Sequence, residues 1–278
     1  MIHIVVDSGA DLPADVAAEA GITVIPLLVS VGGETVRDTD LPRHQFYERL
    51  VSSSAIPQTS SPPIGLFADA FRSLTANGDA VLSISLSGRL SSTYSAARQA
   101  AQLVDGAQIV CVDSGTVIAP LAELALLAAR AASQGATMDD LVALVHQRRA
   151  RSVLLIGLDT LRYLEKGGRI GPLRAFLGTM LSVKPILEVR EGEVLPVEQV
   201  RTSKRMPPRL IELARARGSY AALSVVYTTD HAAAAALADA CAAAGMLPRE
   251  QIGLIQAGPA LGTHVGPGTL GIGGLLVE

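Results

Sequence analysis

The sequence predicts a two-domain α/β protein. The first part reads as a doubly wound parallel sheet with helices on both faces, the second as an α+β domain with a mixed sheet. Three observations carry this. Short apolar runs alternate with helical patterns through residues 1–150, the signature of strands joined by crossover helices. The remainder, 151–278, is richer in β patterns and contains a hairpin. A chain of 278 residues, 49% hydrophobic and 18% charged, is long and apolar enough for sizeable buried cores.

Each element has a local reason. Ile2–Val6 (IHIVV) is a buried-strand pattern, followed by a turn at DSGADLP and a helix, ADVAAEAG, closed by Gly21. Ile22–Val31 is extended and interrupted at Pro26. PRHQFYERLVS and PPIGLFADAFRSLTANG are helical, with SSAIPQTSSPP as the loop between them. AVLSIS and QIVCV are strands, and SSTYSAARQAAQL and VIAPLAELALLAARAASQG helices. The domain boundary falls between Gln147 and Val153. Beyond it SVLLIGL, VKPILEVREGEVLPVEQVR and YAALSVVYT are β-rich, the middle one turning at EGE; SKRMPPRLIELARARG and DHAAAAALADACAAAG are helices. The tetrapeptide VDSG occurs at Val6–Gly9 and again at Val112–Gly115, each at a strand end. In a parallel sheet both would open on the ligand-binding edge.

Composition removes several function classes. The net charge is −3, aromatics are 3% and Trp is absent, so neither an electrostatic footprint nor a stacking platform for nucleic acid is expected. Cys111 and Cys241 lie in apolar settings and read as buried thiols of a reducing compartment. An aspartate interrupts the N-terminus too early for a signal-peptide pattern. The long uncharged stretch Gln251–Val277 is broken by Gly and Pro. A cytoplasmic protein without stable membrane insertion is therefore expected. All three lysines fall between Lys166 and Arg205 and read as a solvated face.

The standard catalytic motifs fail one by one. Gly266, Gly268 and Gly271 spell G-x-G-x-x-G, but too little chain follows to complete a dinucleotide-binding unit. No lysine follows a glycine, so there is no P-loop. No H-E-x-x-H or G-x-S-x-G occurs, and the five histidines do not cluster at metal spacing. What remains is a concentration of hydroxyls. Thr59, Ser60 and Ser61 precede one helix; Ser87, Ser91, Ser92 and Thr93 lie between a strand and the next helix. Ser91 or Ser92 suits an N-cap, and Ser61 precedes a Pro at a helix start, but capping uses one hydroxyl per helix. Runs of hydroxyls at helix N-termini offer neutral donors to a carboxylate or phosphate.

Six segments in order carry a family resemblance: VDSGADLP, PQTSSPP, SGRLSSTYSAA, LDTLRYLEKGGRI (Leu158–Ile170), VRTSKR (Val200–Arg205) and GTHVGPGTLGI (Gly262–Ile272). With them the chain resembles the DegV family of fatty-acid-binding proteins, the binding subunits of bacterial fatty acid kinase. The resemblance implies two α/β domains holding a long-chain fatty acid, its tail in an apolar tunnel and its carboxylate near a surface. It implies a partner kinase subunit related to dihydroxyacetone kinases, which phosphorylates the carboxylate to an acyl phosphate. The chain itself would present substrate without being the catalyst, and would need no cofactor or metal.

Carried over by residue, Thr59 and Ser91 would donate to the carboxylate, with His264 beside it. Gly262, Gly266 and Gly268 would let backbone approach the ligand. Arg169 and Arg201 would lie near the opening, facing the phosphoryl group or the kinase. Ser92 stands where the family pattern has glycine, and either narrows the head-group site or adds a third hydroxyl. The stretches GLFADAF, LRAFLGTMLSV and IPLLVSV offer apolar material for the tunnel, or plain core. A saturated tail of roughly fifteen methylenes would contribute ~12 kcal/mol gross at ~0.8 each, less several for association. Two rival readings use the same residues. One is a hydrolase or acyltransferase with Ser91 as nucleophile and His264 as base. The other is a small phosphate-ligand-binding protein built on the hydroxyl loops.

Overall fold

The computed structural model describes residues 1–53, 55–176 and 183–277. The first part supplies β1 (Ile2–Asp7), α1 (Ala14–Glu19), β2 (Ile22–Ile25), β3 (Leu28–Val31), β4 (Glu34–Arg37), α2 (Arg43–Ser52), β5 (Gln58–Ser60), α3 (Ile64–Thr75), β6 (Ala80–Ser85), α4 (Thr93–Ala101), β7 (Ile109–Asp113), α5 (Ala119–Ser133) and α6 (Met138–Arg149). The second supplies β8 (Ser152–Gly157), α7 (Arg162–Lys166), β9 (Lys184–Arg190), β10 (Glu193–Val200), α8 (Met206–Arg215), β11 (Tyr220–Tyr227), α9 (His231–Ala243), β12 (Ile252–Gln256), α10 (Pro259–Val265) and β13 (Leu270–Leu276).

The fold is α/β, with a parallel sheet in the N-terminal part and a mixed sheet in the C-terminal part. The first sheet has the order β2-β1-β6-β7, every pair parallel. The second has the order β10-β9-β8-β13-β11-β12, antiparallel except for β11 with β12. A third, antiparallel sheet, β4-β3-β5, was not anticipated. The stretch read as a bare loop, SSAIPQTSSPP, contains its strand β5, which pairs Thr59 with Val29. Three residues of strand between two prolines carry too little periodicity to be read.

One helix joins the two large sheets. α5 packs against β1 and β6 of the first and β8, β11 and β13 of the second. Its sequence, APLAELALLAARAAS, is apolar almost all round, as a helix covered on several sides requires. Leu121, Leu124 and Ala125 are among its buried residues, and its alanines let the sheets approach closely. A single apolar cluster accordingly runs from Val6 and Ile84 through α5 to Leu154 and Ile156.

Glycine has two distinct uses here. In the β9–β10 hairpin Arg190 pairs with Glu193, leaving a two-residue loop in which Glu191 and Gly192 take φ of 51° and 84°. Positive φ at both positions is what a tight hairpin of this twist demands. In β13 the glycines serve packing instead. A Cβ at Gly271 would lie 2.6 Å from the Leu155 carbonyl oxygen, and one at Gly274 would run into that of Ala222. β13 sits between β8 and β11, so neither neighbour's backbone can give way. We therefore expect Gly274→Ala to lower stability by about 3 kcal/mol, read as a fall in the urea midpoint. An unchanged midpoint would contradict this packing.

Candidate ligand-binding site

The site lies at the edge of the parallel sheet where its strands end. The loop from β6 to α4 is fastened there from both sides by the repeated VDSG turns. Asp7, at the end of β1, accepts from the N–H of Gly9 (3.0 Å) and from that of Leu86 in the loop (2.8 Å). Asp113, at the end of β7, accepts from Gly115 (2.9 Å) and from Gly88 in the same loop (3.1 Å). The two turns fold alike because each carboxylate first bonds the N–H two residues on. Burial pushes the Asp7 carboxyl up to about 7, while the N–H donors of Leu86 and Gly9 oppose the rise. The sequence had flagged the repeat without a role for it; the role is to hold the loop that carries Ser91.

Facing that loop is a slot between the sheets. Thr59, Leu86, Ser91, Ile118, Leu154, Ile156, Arg169, Val226 and His264 are among its lining residues. Its empty volume is about 900 Å³, mouth included, and little of it is wide enough to admit a water-sized sphere. The slot is thus narrow rather than broad.

Six polar side chains line its wall: Thr59, Ser60, Ser91, Arg169, His264 and Thr269. Thr59 comes from β5, Ser91 from the fastened loop, Arg169 from the segment after α7, and His264 from α10. Thr59 Oγ1 and His264 Nε2 are 2.7 Å apart. Ser91 Oγ is 2.8 Å from Thr93 Oγ1 and accepts from the Thr93 N–H. Arg169 donates through Nε to the Leu90 carbonyl (3.2 Å) and through Nη1 to that of Gly167 (2.8 Å). Burial, with the Arg169 guanidinium adding to it, pushes the His264 imidazole down to about 4, so the ring is neutral at pH 7. Its Nδ1 is buried and has no hydrogen-bond partner among the described residues. An orphaned N–H is rarer and costlier than an orphaned lone pair, so we assign the proton to Nε2. The ring then donates to Thr59, and the Thr59 hydroxyl keeps its own hydrogen for another acceptor.

The family model described as an uncharacterised DegV family protein matches residues 1–275. A DegV domain-containing protein of Halalkalibacterium halodurans is 34% identical over 98% of this chain and 97% of its own. The chain belongs to the DegV family. Its fold superposes on a DegV family protein from Thermus thermophilus described as fatty-acid binding, with a TM-score of 0.91, 30% identity and 99% of each chain covered. A stearic-acid-binding protein from Eubacterium ventriosum superposes with a TM-score of 0.90 at 25% identity, covering 99% of this chain and 98% of that one.

Several site expectations change against the DegV fold. His264 stands on a helix, α10, not in a glycine loop, and the glycines around it face protein rather than the slot. A Cβ at Gly262 would lie 2.6 Å from the Tyr47 hydroxyl and 2.8 Å from the Phe46 ring. Gly266, at φ 75°, abuts the Tyr163 ring, and a Cβ at Gly268 would lie 2.5 Å from the Asp159 carboxylate. They seat α10 against α2 and α7. Ser92 is exposed, outside the slot, and donates to Ser61 Oγ (2.9 Å); neither caps a helix with its side chain, and Pro63 precedes α3. Arg201 is exposed just beyond β10 and does not line the slot. Of the apolar candidates, Leu27 lines the slot, whereas Phe67 and Phe71 pack in a separate cluster with Val5 and Val81. In Leu173–Val183, residues 177–182 lie outside the described residues. Among the described residues no group of three or more His, Cys, Asp or Glu side chains could hold a metal ion. No helix there is long and apolar enough to cross a membrane.

The low His264 value has a signed consequence. Between about pH 6.5 and 4 the unfolded histidine binds a proton that the folded one refuses, so its contribution to stability falls as pH drops through this window. Asp7 and Asp38, raised by burial to about 7, and Asp11, raised to about 6, act oppositely: the folded state holds their protons more tightly. His264→Gln removes only the first effect. The variant's stability relative to wild type should therefore climb by up to about 3 kcal/mol between pH 6.5 and 4 in paired urea titrations. A pH-independent difference would mean that the ring titrates normally.

Proposed function

We propose that this chain binds a long-chain fatty acid in the slot and presents its carboxylate to a partner kinase for conversion to an acyl phosphate. The observation that carries the reading is the Thr59, Ser91, Arg169 and His264 group in the wall of a narrow, mostly apolar slot. A thin apolar slot takes a single chain and suits neither a nucleotide nor a sugar phosphate. A buried carboxylate needs donors, and here the hydrogen of Thr59, oriented by His264, and the Ser91 hydroxyl are available, with the Arg169 guanidinium close by. The T. thermophilus and E. ventriosum relatives, described as fatty-acid and stearic-acid binding, support the same ligand class.

The kinase step is supported by what lies outside. A wetter vestibule lined by Gly88, Ser92, Tyr94, Gly168 and Glu193 shares Leu90, Ser91, Arg169 and Val194 with the slot. A phosphoryl donor reaching the head group would pass here, and Ser92 would serve as a third hydroxyl for the incoming phosphoryl group. Arg201, exposed and away from the lipid, would dock the kinase. A dihydroxyacetone-kinase-like subunit would supply the chemistry, and this chain would be the carrier. The serine-hydrolase reading loses support because Ser91 bonds Thr93 while His264 is engaged by Thr59.

Denaturing the purified protein and analysing what it releases by mass spectrometry tests the ligand: a stoichiometric free fatty acid is expected, and a released nucleotide would end the proposal. Thr59→Val should weaken binding of added fatty acid by about 2 kcal/mol, the worth of one hydrogen bond to a charged group, or roughly thirtyfold in Kd. Arg201→Ala should keep the lipid and lose turnover with the kinase. Loss of lipid with full turnover on re-addition would reverse the role assigned to Arg201.

A further inference from the structure

Ile118 is in a backbone conformation that an isoleucine does not choose. Its φ is 52° and its ψ −126°, a region in practice reserved for glycine. For a β-branched residue this is a true outlier. The other non-glycine residues with positive φ among those described are Asp11, in the ordinary left-handed well, and Glu191, in a hairpin turn. At fourteen further positive-φ positions the chain places glycine. At Ile118 it does not, although glycine would relieve the strain.

The surroundings hold the strained residue from both ends. Its N–H donates to the Gly9 carbonyl (2.7 Å), beside the Asp7 turn, and its carbonyl accepts from Ala122 (2.9 Å) in the first turn of α5. The side chain is 3% exposed and lines the slot. Strain kept at such a position means that the side chain does something glycine could not. In a slot already too thin for much more than one chain, two branches at a fixed Cβ set the local width.

We propose that Ile118 is a specificity-determining residue that restricts the slot to an unbranched acyl chain. This rests on the fatty-acid reading above. The discriminating pair is palmitic acid and phytanic acid, which share a head group and main-chain length. Phytanic acid carries methyl branches at regular intervals, so one of them meets Ile118 whatever the depth of that residue. The full-length protein is equilibrated with both acids, re-isolated and denatured, and the released acids are counted.

Wild type should retain palmitic over phytanic acid by about tenfold or more, the discrimination one or two methyl groups give in an apolar pocket. Ile118→Gly and Ile118→Ala should bring that ratio close to one, and Ile118→Val should stay near wild type. If both small variants bind with the wild-type ratio, this inference is overturned while the fatty-acid reading stands. If wild type retains neither acid, both fall. Melting the two small variants checks the premise separately. Ile118→Gly should melt above Ile118→Ala, the reverse of the usual order, because only glycine releases the strain. An alanine variant that melts at or above the glycine variant would refute the strained conformation.

Discussion

The site hangs on one buried carboxylate, that of Asp11. Its Oδ1 accepts from the Arg43 guanidinium (3.2 Å) and from the N–H of Gly258 (2.9 Å), the residue that opens α10. This contact joins the first turn of the chain to its last helix. Tyr47 reinforces it by donating to the Ala257 carbonyl (2.8 Å). α10 then carries His264 into the slot, and His264 in turn meets Thr59 on β5, the edge of the small sheet. Burying a carboxylate is costly, and the Asp11 carboxyl is pushed up to about 6 by it, with Arg43 holding it down. Arg43 offsets part of that cost and the Gly258 N–H a further part only while α10 is docked, so the docking is specified by polarity as well as by apolar area. The helix has seven residues, too few to be stable by itself.

The slot's shape follows from a second constraint, the sharing of α5 by two sheets. A helix rich in alanine lets both β1 and β13 approach it, and the slot lies by its N-terminus. Ile118 sits at that N-terminus, Leu154 and Ile156 come from β8, and Val226 comes from β11. The cavity is thus a consequence of how two sheets are pinned to one helix. Its polar wall is added from outside that frame, by β5, α10 and the loop that Asp7 and Asp113 hold in place.

This division explains what could be read from the sequence. The parallel strands and long helices repeat their apolar period over enough residues to be legible, and AVLSIS forms the strand β6 to the residue. The hydroxyl runs holding Thr59 and Ser91 stood out because they exceed capping needs, whereas His264 was singled out chiefly by the family resemblance. Their settings were not legible. β5 is three residues long, α10 is flanked by Gly and Pro, and β13 spells LGIGGLL, a poor strand by propensity that is required by close backbone approach. The glycines around His264 looked like room for a ligand; they are room for Tyr47, Phe46, Tyr163 and Asp159. A sequence states that a side chain is missing at a position but not which neighbour fills the space.

The neutrality of His264 bears on how the head group would be held and let go. A protonated imidazole beside Arg169 would put two positive charges in a nearly dry wall and bind a carboxylate tightly through the head alone. Burial prevents this, and the guanidinium already spends two of its donors on the Leu90 and Gly167 carbonyls. In the reading proposed above, the head is therefore oriented by hydroxyl hydrogens while the tail supplies most of the affinity. Phosphorylation changes the head and leaves the tail unchanged. The charge of the head moves outward onto the phosphoryl oxygens in that step, so a cation fixed against the carboxylate would be misplaced for the product. Neutral hydroxyl donors can serve a carboxylate oxygen or an acyl-phosphate oxygen alike. In that proposed reading, a carrier holding both species in turn would gain from keeping its charge fixed to the backbone and its donors free to rotate.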